Sequence, residues 1–126
     1  GKCMFVLHTR GAHAENYTRN APSCEGRPMF IEGVGDQPWD AVFVVNEPTR
    51  PELARYVQQG FMVRTRADAD LREGRANDTA RREAALASGA HLVSTDFPRG
   101  EAHPETGYVV QLPGNAAARP NPVTAP

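Results

Sequence analysis

The chain has 126 residues, 40% of them hydrophobic, and a formal net charge of −1. At this length one domain is the natural expectation, and a core of useful size can be buried. The near-neutral balance argues against a nucleic-acid surface, and no apolar run approaches the roughly 18 residues that span a bilayer.

The first element is an apolar run, Lys2-Cys3-Met4-Phe5-Val6-Leu7, read as a strand ending at His8. No signal peptide is visible, and so abrupt a start suggests a piece of a longer protein. Residues 9 to 27 are polar, with Gly11, Asn16, Asn20 and Pro22. They read as a long loop with room for one helical turn, and loops of that length are often functional. Met29-Phe30-Ile31 is a short strand ending at Glu32, followed by a turn over residues 33 to 38. Ala41-Val42-Phe43-Val44-Val45 is the clearest strand; it reaches Asn46 and Glu47 before Pro48 stops it.

Thr49-Arg50-Pro51-Glu52 has capping-box spacing, with Thr49 as the cap and Glu52 reaching back. Leu53, Tyr56 and Val57 form the apolar stripe of the helix that follows, and Gly60 ends it. The next strand, 61 to 66, turns from Phe-Met-Val to Arg64-Thr65-Arg66 and then to Asp68 and Asp70. Alternation places Met62, Arg64 and Arg66 on one side and Val63 and Thr65 on the other. Two guanidiniums on one side suit an anion, and phosphate above all. The plainer reading pairs them with Asp68, Asp70 or Glu73 in a solvated loop, with the two aspartates shaping that loop as Asx turns. A second helix runs from about 78 to 88, with Ala80, Ala84 and Ala87 facing inward and Gly89 ending it. His91 to Thr95 is a strand ending at Asp96, and Tyr108 to Leu112 a last, edge strand. From Pro113 the tail is rich in Pro, Ala and Asn and reads as extended or poorly ordered.

Strands alternating with helices imply a mostly parallel α/β sheet with right-handed crossovers. Five strands ending in His8, Glu32, Asn46, Arg64 and Asp96 would then place all five polar ends on one rim, where α/β folds carry their chemistry. Glu32 suits a hard cation as a peripheral ligand, or Arg27 or a neighbouring arginine as a partner. Cys3 is expected to be a free thiol inside a strand, and Cys24 is left open, since two cysteines make no disulfide framework. Asn16-Tyr17-Thr18 and Asn77-Asp78-Thr79 match glycosylation sequons, but so short a match carries no weight.

Three segments together carry a resemblance: Met62-Val63-Arg64-Thr65-Arg66-Ala67-Asp68, Ala84-Ala85-Leu86-Ala87-Ser88-Gly89-Ala90, and Val93-Ser94-Thr95-Asp96-Phe97-Pro98. They resemble the calcium-dependent phosphoinositide-specific phospholipase C family. The ending from Arg119 to Pro126 is similar to the family's C-terminal segment, although a cysteine is more usual at Pro120. The Ser-Thr-Asp-Phe-Pro stretch is also similar to the last strand of glycerophosphodiester phosphodiesterases. The resemblance covers most of the chain. It implies the C-terminal half of a TIM-type (β/α)8 barrel, with two main helices over residues 1–112 and an extended Pro/Ala-rich tail over 113–126. It further implies phosphodiester cleavage by a histidine pair and a carboxylate-bound Ca²⁺, placed on early strands near a His-Asn motif. This sequence has no His-Asn dipeptide, and His8, His13, His91 and His103 do not match the catalytic positions. The implied share of this segment is therefore to hold the substrate's phosphate or head group, through Arg64, Arg66 and His8, with Asp96 orienting a histidine of the missing half or binding Arg64 across the rim; no metal ligand is assigned here, and most are expected outside the segment. The family usually has an aspartate where His8 stands. The implied partners are a phospholipid or other phosphodiester substrate and either the N-terminal half of the same barrel or a second copy. Export from the cell is common among members. A glycerophosphodiesterase-like enzyme and a non-catalytic anion-binding or assembly module are the alternatives.

Overall fold

The computed structural model describes residues 3–125; Lys2, in the expected first strand, and Pro126, in the expected tail, lie outside the described residues. The chain is α/β, and its described strand pairings are all parallel. It divides into two compact units, Gly1–Val44 and Val45–Pro126.

In the first unit, β1 (Val6–Leu7) pairs in parallel with β2 (Phe30–Ile31), Val6 opposite Phe30. The first strand is thus shorter than its apolar run. The expected loop between them holds α1 (Ala12–Thr18), which buries Ala14 and Thr18. Tyr17 pins this helix to the chain before β2, its hydroxyl accepting the Met29 N–H at 3.0 Å and donating to the Met29 carbonyl at 3.2 Å. The unit ends in β3 (Val42–Val44), and a parallel bridge joins Glu32 to Val42. Gly33 is needed here, because a Cβ would meet Phe43 Cε1 at 2.7 Å. The Asp40 carboxylate closes the intervening turn by accepting N–H bonds from Val34, Gly35 and Gln37.

In the second unit, α2 (Pro51–Gln58) buries Leu53 and Val57, as the stripe requires. The capping box does not form. Pro51 fixes the first helical position, which makes Arg50 the N-cap and moves Glu52 one position too early to reach back. Glu52 instead pairs with Arg50 Nε at 2.6 Å, and the Thr49 hydroxyl donates to Glu47 at 3.1 Å. Strand β4 (Met62–Arg66) buries Val63 and Thr65 and leaves Met62, Arg64 and Arg66 half-buried, the alternation expected. It is followed by α3 (Arg72–Ala76), α4 (Ala80–Ala87) and β5 (Leu92–Ser94), so the described residues hold four helices rather than two. Both α2 and α4 pack on β4. The inward residue of α4 is Ala85; Ala80 and Ala87 are exposed, so the expected inner face is rotated.

Residues 108 to 112 form no strand. Tyr108 turns into the core, its hydroxyl donating to the Ala67 carbonyl at 3.2 Å. Only a single parallel bridge, Pro98 to Val110, remains. Proline lacks the N–H that would continue a ladder there. The core of this unit gathers Ala67, Ala85, Phe97, Tyr108 and Val110, with the Phe97 and Tyr108 rings edge to face at 5.4 Å. The tail is fastened as well: Asn121 Nδ2 donates to the Gly89 carbonyl at 2.7 Å, and Arg119 donates to the Leu86 carbonyl. The Leu86 carbonyl is one that the C-terminus of α4 leaves open, and Gly89 follows just past the helix end.

Burial pushes the Tyr108 phenol up from 10.0 to about 12, with the Asp68 charge adding to it. The folded state therefore keeps this proton after the unfolded chain has released it. Below pH 10 the contribution is complete, and stability is expected to fall as pH rises from 10 to 12, by on the order of 2 kcal/mol. Urea midpoints at pH 9 and pH 11.5 check this; Tyr108→Phe should lose less stability over that interval than the parent.

Candidate functional site

Strands β4 and β5 run parallel, with Arg64 opposite Leu92, Thr65 opposite Val93 and Arg66 opposite Ser94. Opposed residues in a parallel pair share a face. Arg64 and Arg66 therefore project from the same face as Leu92 and Ser94, and Asp96 follows just past the end of β5. Arg66 Nη2 lies 3.7 Å from Asp96 Oδ2, both side chains being partly exposed. Asp96 thus meets Arg66 and not Arg64.

Arg64 has a different environment. Its Nη1 donates to Asn46 Oδ1 at 2.5 Å, and among the described residues it has no carboxylate partner. Burial lowers its pKa from the ordinary arginine value, and the like charge of Arg66 lowers it further. A guanidinium of this kind stays charged at neutral pH, yet it lies half-buried beside another cation. That combination favours an incoming anion. The solvated pairings with Asp68, Asp70 or Glu73 are absent from the described ion pairs of both arginines.

Asp68 is fully buried. It does not shape its own loop but reaches across to the end of β5. Its Oδ1 accepts the Asp96 N–H at 2.9 Å, and its Oδ2 accepts the Thr95 hydroxyl. Thr95 Oγ1 in turn accepts the Phe97 N–H at 2.9 Å. This latch fixes the backbone that carries Asp96. Glu73, also buried, accepts the Ala69 N–H at 2.8 Å and closes the loop after β4.

A second group that the sequence did not single out lies beside Arg64. Arg81, on α4, donates through Nη2 to the Asn46 carbonyl at 2.7 Å and through Nη1 to Glu47 Oε2 at 2.7 Å. Burial raises the Glu47 pKa, but the Thr49 hydroxyl and the Arg81 charge outweigh it and hold this carboxyl below its usual value. Nothing in the sequence marked Arg81, since an arginine on a short helix reads as solvated.

His8 belongs to the first unit. Its Nδ1 lies 2.6 Å from Glu32 Oε2, while its side chain remains 78% exposed. Glu32 is buried and also accepts Arg10 Nη2 at 2.9 Å. Its arginine partner is thus Arg10; Arg27 instead donates to the Arg19 carbonyl. Cys3 and Cys24 are both free thiols. A groove of about 640 Å³ between β5 and the tail is lined mainly by apolar residues such as Leu92, Val93, Leu112 and Pro122. Its lining includes none of Arg64, Arg66 and Asp96, so it is not the site described here.

A sequence profile of the family described as phosphoinositide phospholipase C, Ca²⁺-dependent, matches residues 1–122. No curated protein and no solved structure matches the chain. Ca²⁺ takes about six to eight oxygen ligands. Among the described residues no group of three or more His, Cys, Asp or Glu side chains could hold a metal ion. Glu32, Asp40 and Asp68 are each engaged by protein donors. The described residues therefore do not fit the ion by themselves.

Proposed function

The chain belongs to the Ca²⁺-dependent phosphoinositide phospholipase C family, and from that premise we propose that it forms the C-terminal half of a (β/α)8 phosphodiesterase barrel. Its part is to hold the phosphate or head group of a phospholipid substrate. Arg64 and Arg66 grip the phosphodiester, and Asp96 orients its neighbours at the rim. The general base, the general acid and the Ca²⁺ ligands come from the other half.

The observation that carries this reading is Arg64: a half-buried guanidinium at the middle of β4, beside the guanidinium of Arg66 at the strand's end, with a neutral amide as its partner. The parallel strands and the strand–helix alternation support the barrel. Leu92, half exposed on the face of β5 that neighbours Arg64, is the kind of residue a completing half would cover.

The test is a phosphodiesterase assay with added Ca²⁺. It compares the 126-residue chain with a protein that also carries the N-terminal half. Turnover of inositol lipids is expected only when both halves are present. Turnover by the 126-residue chain alone would overturn the half-barrel reading. Parallel assays with glycerophosphodiesters separate the phospholipase from a glycerophosphodiesterase.

A further inference from the structure

We propose that Asn46 and Arg81 are positioning residues that orient the Arg64 guanidinium while keeping its charge uncompensated for a phosphate anion. This rests on the reading of Arg64 as an anion-binding residue.

The case starts from the carboxylates near the ends of β4 and β5. Asp96, Asp68 and the nearby Glu47 are committed elsewhere. Asp96 faces Arg66 at 3.7 Å. Asp68 is taken by the Thr95 hydroxyl and the Asp96 N–H. Glu47, next in the chain to Asn46, has both oxygens occupied: Oε2 by Arg81 at 2.7 Å and Oε1 by the Thr49 hydroxyl at 3.1 Å. Arg81 also holds the Asn46 carbonyl at 2.7 Å. That grip fixes the backbone from which the Asn46 amide reaches Arg64. The amide oxygen is a hydrogen-bond acceptor without net charge, so it aims the guanidinium and does not neutralise it. A carboxylate at this place would form a charge-assisted pair with Arg64 and compete with any phosphate. Asparagine differs from aspartate here by one group of similar size, and that choice sets whether the cation is free to bind. Arg81 acts on the same balance from the other side. It keeps the Glu47 carboxylate occupied and so unavailable to Arg64.

The experiment measures binding of the full chain to inorganic phosphate by calorimetry. A second arm uses vesicles with and without phosphatidylinositol, which separates a lipid head group from free phosphate. Arg64→Met should abolish binding. Asn46→Asp should weaken it at least about tenfold, and Asn46→Ala by only a few-fold, although alanine removes the hydrogen bond altogether. A purely structural role would give the reverse order, because aspartate preserves shape and alanine does not. Arg81→Met should weaken binding, and adding Glu47→Gln to that variant should recover part of the loss, the part due to the freed carboxylate and not the part due to the lost grip on the Asn46 carbonyl. Asn46 is exposed, so its variants should keep the parent fold, which thermal melting checks. Parent-like affinity in Asn46→Asp, or no recovery in the double variant, would overturn this inference while leaving Arg64 in the site. Parent-like affinity in Arg64→Met would overturn both.

Discussion

Replacing Arg64 with alanine in a protein that carries both barrel halves is expected to lower kcat/KM for phosphodiester cleavage by on the order of 10²-fold, the usual cost of one preorganised donor to transition-state charge. The effect should fall on turnover and not on folding. The Arg64 side chain makes one described hydrogen bond, to the exposed Asn46, and the backbone carbonyl that accepts the Val45 N–H at 2.9 Å is kept in alanine. Arg64→Lys should recover part of the loss, because an ammonium restores the charge but not the planar fork. Arg66 is already engaged by Asp96 at 3.7 Å, so its removal should cost less than that of Arg64. Steady-state kinetics on phosphatidylinositol, with melting temperatures alongside, check both variants. Near-parent activity in Arg64→Ala would take Arg64 out of the site.

The largest effect on stability is expected at Asp68. This carboxylate is fully buried and accepts two bonds at the end of β5. Asp68→Ala would leave the Asp96 N–H without its partner in the interior and would remove the acceptor of the Thr95 hydroxyl. The expected cost is about 3 kcal/mol, within the range for breaking a buried, charge-assisted arrangement from one side. Asp68→Asn keeps the shape and one acceptor oxygen and should cost roughly half as much. Denaturant unfolding of the parent and both variants measures this. A loss below about 1 kcal/mol in Asp68→Ala would mean that the latch holds little. Asp96 depends on the same contact, so Asp68→Asn should also loosen the Arg66–Asp96 pair, which amide hydrogen exchange at Asp96 reports.

Much of the fold was legible because it depends on patterns a chain carries locally. The apolar runs at 29–31, 41–45, 61–66 and 91–95 all contain strands, each a little shorter than its run. Alternation along β4 puts Arg64 and Arg66 on one side and Val63 and Thr65 on the other, and the arginine side is the less buried. The stripe of Leu53 and Val57 and the stop at Gly60, whose φ is +88°, follow from helix geometry. Other readings failed because the competing interaction lay far away in sequence. The run from Tyr108 to Leu112 has strand composition, but the Tyr108 ring found a buried place against Phe97 and the bridge met a proline. Thr49 and Glu52 had the right spacing for a cap, and Pro51 shifted the helix start by one residue.

The amino-acid sequence by itself determined that this is an α/β chain of the phospholipase C family with paired arginines at the end of a strand. Those features are encoded in periodicity and in short runs of residue types. Only the tertiary structure decided which charge each arginine meets. Arg66 faces Asp96 across two strands, and Arg64 faces an asparagine that an arginine from α4 holds in place. Pairings such as Arg64 with Asn46, Asp68 with Asp96 and Arg81 with Glu47 span 18, 28 and 34 residues. A side chain's partner at such separations is set by which backbone segments the sheet brings side by side, and no local rule carries that information.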